Sequence, residues 1–209
     1  MHLDTLLSNI VKDNTLHAKW LNTLSFMENA GARKISAAEH KEEVTLLILK
    51  HAAEEHRHAY YLKKQLAKLD ESLCKTYKNA ELLVPNHTRF YLNTLDVKVC
   101  RYLKEHFNLS GSDLKFAAYL FVTYAIEVRA DELYPIYQTV LTESESKVTV
   151  KSIILEEEGH LEEMINQLNE FSPDWEKHAK EVVKIEEEMF VNWMNSLQKE
   201  LAATFVPAN

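Results

Sequence analysis

Two copies of one short motif, a glutamate followed three residues later by a histidine, stand in the two halves of this chain. The copies are Glu55-x-x-His58 and Glu157-x-x-His160. In a helix, residues i and i+3 project from the same face. A carboxylate and an imidazole placed in this way can bind one metal ion, and the carboxylate can also reach a second ion. The motif therefore predicts metal chemistry where it lies on a buried helix face.

A lone glutamate precedes each motif at a similar distance, Glu28 before the first copy and Glu127 before the second. With the motifs they form a repeated set of carboxylates and imidazoles that suits two adjacent metal ions, iron or manganese first. The lone glutamates must come from neighbouring helices. We therefore expect four helices to face one another and to bring six ligands together in a bundle core.

Apolar residues recur around these positions at the three- and four-residue spacing of a buried helix face. The two motif faces read Val44, Ile48, His51, Glu55, His58, Leu62, Leu66, Leu69 and Val150, Ile153, Glu157, His160, Met164, Leu168, Phe171. Buried carboxylates destabilise a folded protein unless cationic partners meet them. One such motif alone is common on solvated helices, and a lone buried histidine is more often a core residue. The joint pattern instead favours a dinuclear carboxylate site.

Three further residues lie one helical turn from a candidate ligand. Asp131 either holds a ligand histidine through its free ring nitrogen or is a surface acid. His51 is either a core histidine or a residue that supports the ligands. Tyr124 is a candidate redox-active or pocket tyrosine, with ordinary core packing as the alternative. Glu54 and Glu156, which directly precede the motif glutamates, are expected on the solvated surface or, if the faces are rotated, as replacement ligands.

The chain resembles the ferritin-like di-iron carboxylate superfamily over about residues 14–171. The residues that carry the resemblance are Glu28, Glu55-x-x-His58, Glu127 and Glu157-x-x-His160. The resemblance implies that they bind two iron ions, with manganese–iron or two manganese ions as alternatives, and that Glu55 and Glu157 bridge the ions. The superfamily includes ferritins, rubrerythrins, aldehyde-deformylating oxygenases, a tRNA hydroxylase and the radical-generating subunit of ribonucleotide reductase. The rubredoxin-like module of typical rubrerythrins is not expected, because the chain has no C-x-x-C pair.

Length and composition predict one all-α domain. The 209 residues suffice for a full core, and only 3 glycines and 4 prolines leave few turns and favour long helices. We predict a ferritin-like four-helix bundle with a long crossover between its second and third helices. The bundle helices are expected at about 14–35, 36–69, 113–141 and 146–171, with an extra helix at about 88–107 in the crossover and a flanking helix at about 173–203.

Local signals place some helix ends. Asp13 or Asn14 is a candidate N-cap, and Ser36-x-x-Glu39 reads as a capping box that starts the second bundle helix. Because this start would make the first helix pair uneven, a separate turn or bend is expected over residues 36–43. A kink is expected at Pro135. The amphipathic last helix either covers the bundle or forms a homodimer contact.

Charge and cysteine content narrow the partners. The formal charge of −8 disfavours nucleic-acid binding, which weakens a tRNA substrate without excluding it. The sequence contains no run of 18 apolar residues, so no membrane-spanning helix is expected. The N-terminus lacks the basic region of a secretory signal. Cys74 and Cys100 are too few and too far apart for a disulfide framework, which fits a reducing cytoplasm.

The sequence therefore favours a non-haem dinuclear oxidoreductase that activates dioxygen or peroxide to oxidise a small, largely apolar substrate. The alternative is a ferroxidase or another iron-handling protein, and a third reading is a metal-free structural or signalling bundle. The electron donor and the substrate are not indicated. The shape of the bundle interior should distinguish the first two functions. A blocked core favours a ferroxidase, and an elongated apolar tunnel ending at the metals favours an oxygenase.

Overall fold

The computed structural model describes residues 2–204, and every regular element in that part of the chain is helical, so the prediction of an all-α fold is confirmed. The α-helices are α1 Leu3–Val11, α2 Asn14–Ala38, α3 Leu46–Leu66, α4 Pro85–Phe107, α5 Gly111–Glu143, α6 Lys151–Phe171 and α7 Trp175–Thr204, with a 3₁₀ helix at Asn79–Glu81. Helix α4 lies in the connection where the extra helix was predicted. None of these helices is sufficiently long and apolar to cross a membrane.

Helix α2 begins as predicted but ends later. The Asp13 carboxylate accepts hydrogen bonds from the backbone N–H groups of Thr15 and Leu16, at 2.8 and 2.9 Å, which satisfies donors that an uncapped helix start leaves free. The predicted capping box is wrong, because Ser36 lies inside α2 and Glu39 follows its last residue.

The turn between α2 and α3 is set by side chains that compete with the helix. His40 accepts backbone N–H bonds through Nδ1 from Glu42 and Glu43, and the Thr45 hydroxyl caps α3 at Ile48 N. Helix α3 therefore starts at Leu46, so residues 36–45 contain the expected break in the helix. Glu28 lies ten residues before the end of α2, and Glu55 lies nine residues after the start of α3. The two glutamates are therefore at similar distances from the turn that joins these helices.

Helix α6 also starts later than predicted, at Lys151 rather than near residue 146. Side chains of other elements hold the preceding segment: Gln138 accepts from Val150 N at 2.8 Å, and Gln65 accepts from Thr149 N at 3.0 Å. Helix α5 continues through Pro135, whose carbonyl accepts a hydrogen bond from the Thr139 hydroxyl.

Packing brings the four helices that carry the candidate ligands together in pairs, α2 against α3 and α5 against α6, while α4 and α7 pack against each other and against α5. Helix α7 contributes Trp193, which stacks on Trp20 of α2 in the core. The buried Glu186 carboxylate of α7 accepts hydrogen bonds from Arg129 of α5 and, at 2.6 Å, from the Tyr91 hydroxyl of α4, which joins the three helices. This is the arrangement expected of a covering helix. A homodimer contact through α7 stays a prediction.

Candidate metal centre

Four helices bring the six predicted ligand side chains to one place. Their donor atoms form two groups, each within 4.8 Å: Glu28, Glu55, His58, Glu157 and Glu55, Glu127, Glu157, His160. Glu55 and Glu157 belong to both groups. Five of the six side chains are buried and Glu28 is half-buried. The arrangement is that of two adjacent cation sites with two shared carboxylates.

The histidines direct one ring nitrogen each into this cluster. The Nδ1 atom of His160 lies 3.2 Å from Glu157 Oε2 and 3.6 Å from Glu127 Oε1. The Nδ1 atom of His58 lies 3.1 Å from Glu157 Oε1. The glutamate and the histidine of each motif therefore lie on the same helix face, as their i, i+3 spacing predicts.

The outer nitrogens of both histidines are held by the glutamates that directly precede the motifs. His58 Nε2 is 2.8 Å from Glu156 and His160 Nε2 is 2.7 Å from Glu54, so each motif helix supports the histidine of the other. Arg57 binds Glu156 at 2.6 Å and lies 3.5 Å from Glu54. An Nε2–H group that donates to a carboxylate leaves the Nδ1 lone pair for a metal ion.

Of the two interpretations of Asp131, the surface acid fits the structure and the residue that holds a ligand histidine does not. Asp131 is exposed, and neither histidine bonds to it among the described residues; Glu54 and Glu156 occupy that role. The sequence carried a signal, since both motifs read Glu-Glu-x-x-His. A residue beside an inward-facing ligand points sideways at the neighbouring helix, and which neighbour it meets depends on packing.

His51 is a buried, hydrogen-bonded histidine. Its Nδ1 lies 2.8 Å from the Tyr119 hydroxyl, and its Nε2 lies 2.8 Å from Glu163. Its ring centroid is 5.2 Å from that of His160. His51 therefore fits the core reading and also packs against a candidate ligand.

Tyr124 does not lie at the site, which corrects its prediction as a pocket tyrosine. Its ring packs edge-on against Trp175, at 5.7 Å between centroids. The packing of α7 against α5 places Trp175 beside Tyr124. The tyrosines that line the cavity at the site are Tyr91, Tyr119 and Tyr134, and the Tyr134 hydroxyl donates to Glu28.

Burial and mutual repulsion perturb the acids of the cluster. Burial, together with the charge of Glu28, raises the pKa of Glu55 well above its usual value. Burial and Glu157 do the same to the pKa of Glu127. Without a cation, burial and this repulsion therefore favour the protonated form of both carboxyl groups.

The pKa values of the two histidines are also raised. Burial alone would lower the pKa of His160, but hydrogen bonds to Glu127 and Glu157 raise it to about 11. Burial would raise the pKa of Glu157, but close contacts with Glu127 and with both histidines lower it. In the metal-free protein, protons on these groups offset the repulsion between the carboxylates. Metal ions would do the same when bound, and their binding would release the protons.

The donor set fits two divalent cations that accept oxygen and nitrogen ligands. Two of its buried atoms, His58 Nδ1 and Glu127 Oε2, have no hydrogen-bond partner. Buried polar atoms normally have one, so these atoms are oriented for a partner that is not a protein group. Carboxylate and imidazole ligands suit iron, manganese and zinc, and they do not identify the metal.

An apolar cavity of about 440 Å³ reaches the cluster between α2, α4 and α5. Glu28, Glu55 and Glu127 form its polar floor, and Gly31 lies beside them, with the position of a Cβ 3.7 Å from Glu55 Oε2. The cavity volume is within the range of small-molecule sites. The interior is therefore open on one side of the candidate metal ions.

Comparison with known proteins gives no further guide, because no family model, curated protein or solved structure matches this chain. Any assignment rests on the chain's own residues and their geometry.

Proposed function

We propose that the protein is a dinuclear-metal oxidoreductase that uses dioxygen or peroxide to oxidise a small, largely apolar substrate. The observation that carries this proposal is the apolar cavity whose lining includes three of the clustered carboxylates. A ferroxidase needs a path for iron ions, which an apolar wall does not favour. An organic substrate needs an apolar space beside the redox centre.

We interpret the helical fold as a ferritin-like domain. Helices α2, α3, α5 and α6 would be the bundle of a ferritin-like domain, with α4 in the crossover and α7 as the flanking helix. The supporting observation is that these four helices each supply ligand candidates in the order glutamate, motif, glutamate, motif.

Each side chain has a role in holding two iron ions. Glu28 and His58 would bind one ion and Glu127 and His160 the other, while Glu55 and Glu157 would bridge both. Reduced iron would supply the electrons for dioxygen reduction.

The surrounding residues control geometry and water. The Tyr134 hydroxyl fixes Glu28, as the outer glutamates fix the histidines. The apolar wall binds and orients the substrate and excludes bulk water. A chain of hydrogen bonds from Tyr119 through His51 to Glu163 connects the cavity wall to a half-exposed carboxylate.

The test is oxygen consumption by the iron-loaded protein, reduced without air and then mixed with oxygen. We expect consumption that is coupled to oxidation of aliphatic or aromatic additives and that is lost in Glu55→Ala combined with Glu157→Ala. The matched control is Glu158→Ala, an exposed residue of the same helix. Uptake and mineralisation of many iron ions without oxidation of any additive would instead establish the iron-handling alternative.

A further inference from the structure

The cavity is elongated because it follows two helices. Its lining runs from Leu24 to Ala38 along α2 and from Lys115 to Tyr134 along α5. At 1.5 Å per residue, the stretch of α2 from Glu28 to Ala38 is about 15 Å long. A substrate that fills this stretch has the shape of an extended chain.

The two ends of the cavity differ in exposure. Glu28 of α2 is bonded to Tyr134, late in α5, so the end of α2 lies beside the beginning of α5. There Ala37 and Lys115 are exposed, whereas Leu133 and Tyr134 at the opposite end are buried. The cavity therefore opens at the end of α2, three helical turns from the carboxylates.

Positive charge predominates at this opening. Lys34 pairs with Asp96 at 2.5 Å and donates to the Leu92 carbonyl at 2.6 Å. An ammonium group has three donors, so Lys34 keeps one for a ligand. Lys115 makes no ion pair within the described residues. The charged residues that line the cavity towards this end are therefore two lysines, Lys34 and Lys115, and one acid, Asp96.

The wall between the mouth and the carboxylates is uncharged. Its lining there consists of residues such as Gly31, Leu95, Val122 and Ile126, and the described part of the chain adds no charged side chain to it. A charged group placed in this stretch would lose its hydration without a partner. An ionised group on a ligand therefore belongs at the mouth.

We propose that the substrate is an amphiphile with an aliphatic chain and an anionic head group, bound with the head group at Lys34 and Lys115. The far end of the chain then lies at Glu28, Glu55 and Glu127, so the methyl end rather than the head group is presented to the candidate metal centre. This assignment rests on the proposed function only in taking these carboxylates as the reaction centre.

Binding of dodecanoate to the metal-free protein, measured by calorimetry, tests the head-group site independently of any metal. We expect Lys115→Gln to weaken binding by about fivefold, as for a partly exposed ion pair, and Lys34→Gln to weaken it at least as much. Lys180→Gln, an exposed lysine of α7 outside the cavity, should have no effect. Equal affinity for dodecanoate and dodecanol, with no effect of Lys115→Gln, would overturn the anionic head group.

The depth of binding is tested at Gly31. A leucine there would fill the channel between the mouth and Glu55, while alanine adds only a methyl group at ordinary contact distance. We expect Gly31→Leu to reduce dodecanoate affinity by more than tenfold, because several methylene groups lose their site, and to leave hexanoate affinity nearly unchanged. Gly31→Ala is the control. Equal losses for both fatty acids would contradict the extended pose.

The orientation is tested with bound Mn²⁺ and ¹³C-labelled dodecanoate. We expect paramagnetic broadening to be stronger for the methyl carbon than for the carboxyl carbon. The opposite order would place the head group at the metal centre and overturn the proposal. If dodecanoate does not bind at all while oxygen consumption persists, the substrate class is wrong and the oxidoreductase assignment stands.

Discussion

At the scale of single residues, the decisive contacts are those of Glu54 and Glu156 with the outer nitrogens of the two histidines. They fix the tautomer and the ring orientation, and such partners typically affect metal affinity by about 10- to 100-fold. The crosswise arrangement also links α3 to α6, since each carboxylate belongs to the helix opposite its histidine.

We therefore predict that Glu156→Ala lowers the affinity for Mn²⁺ or Fe²⁺ by about 10- to 100-fold, because His58 loses the group that orients it. Glu54→Ala should act in the same way through His160. Direct titration with the metal is the measurement, with Glu158→Ala as the control on the same helix. Affinities equal to that of the control would show that the outer glutamates do not support the ligands.

At the scale of helices, α2 and α5 are joined by a buried neutral histidine. His17 Nε2 lies 2.6 Å from the Tyr137 hydroxyl, and burial lowers the pKa of His17 to about 4. Neutral His17 accepts the tyrosine hydrogen, whereas the protonated ring could not. The unfolded chain binds this proton near the ordinary histidine value, so acid favours unfolding.

We predict that His17 contributes a loss of about 3 kcal/mol in the free energy of unfolding as pH falls from about 6.5 to about 4. The contribution is fully present above 6.5 and absent below 4. His17→Gln keeps a hydrogen-bond acceptor and does not titrate, so its stability should fall less over this range. Denaturant unfolding at several pH values measures the difference, with the exposed His87→Gln as the control. Parallel curves for His17→Gln and the unaltered protein would refute the role.

At the scale of the whole molecule, the carboxylate cluster makes stability depend on metal. Four acids from four helices repel one another or must hold protons in a core, and a cation bound only by the folded protein adds RT ln(1 + [L]/Kd) to its stability. The cluster therefore couples the packing of α2, α3, α5 and α6 to metal supply.

We predict two metal ions per chain and a stabilisation of about 3–4 kcal/mol for each bound ion at metal concentrations of 100 to 1,000 times its Kd. Melting with and without a chelator measures it, beside elemental analysis. Glu55→Gln combined with Glu127→Gln should remove the metal-dependent increment with little destabilisation of the metal-free protein, because an amide replaces the two acids whose charged forms burial disfavours. An unchanged increment in this variant would locate the bound metal elsewhere.

The helices follow largely from the sequence, but some of their ends do not. Helix α3 begins at a local cap, because the Thr45 hydroxyl accepts from Ile48 N and His40 accepts from Glu43 N in the preceding turn. Before α6, Gln138 of α5 and Gln65 of α3 accept from Val150 N and Thr149 N. The contact with Gln65 joins residues far apart in the chain, so no periodicity in a local window contains it.

The sequence by itself determined the helical class and the set of residues that meet at the candidate centre, because ligand spacing and apolar periodicity are properties of one helix. Only the tertiary structure decided how the helices are rotated against one another. That rotation put Glu54 and Glu156, rather than Asp131, on the histidines, and it turned Tyr124 away from the site. It also left the cavity beside the carboxylates, since a space between helices depends on their relative packing rather than on the pattern of any one of them.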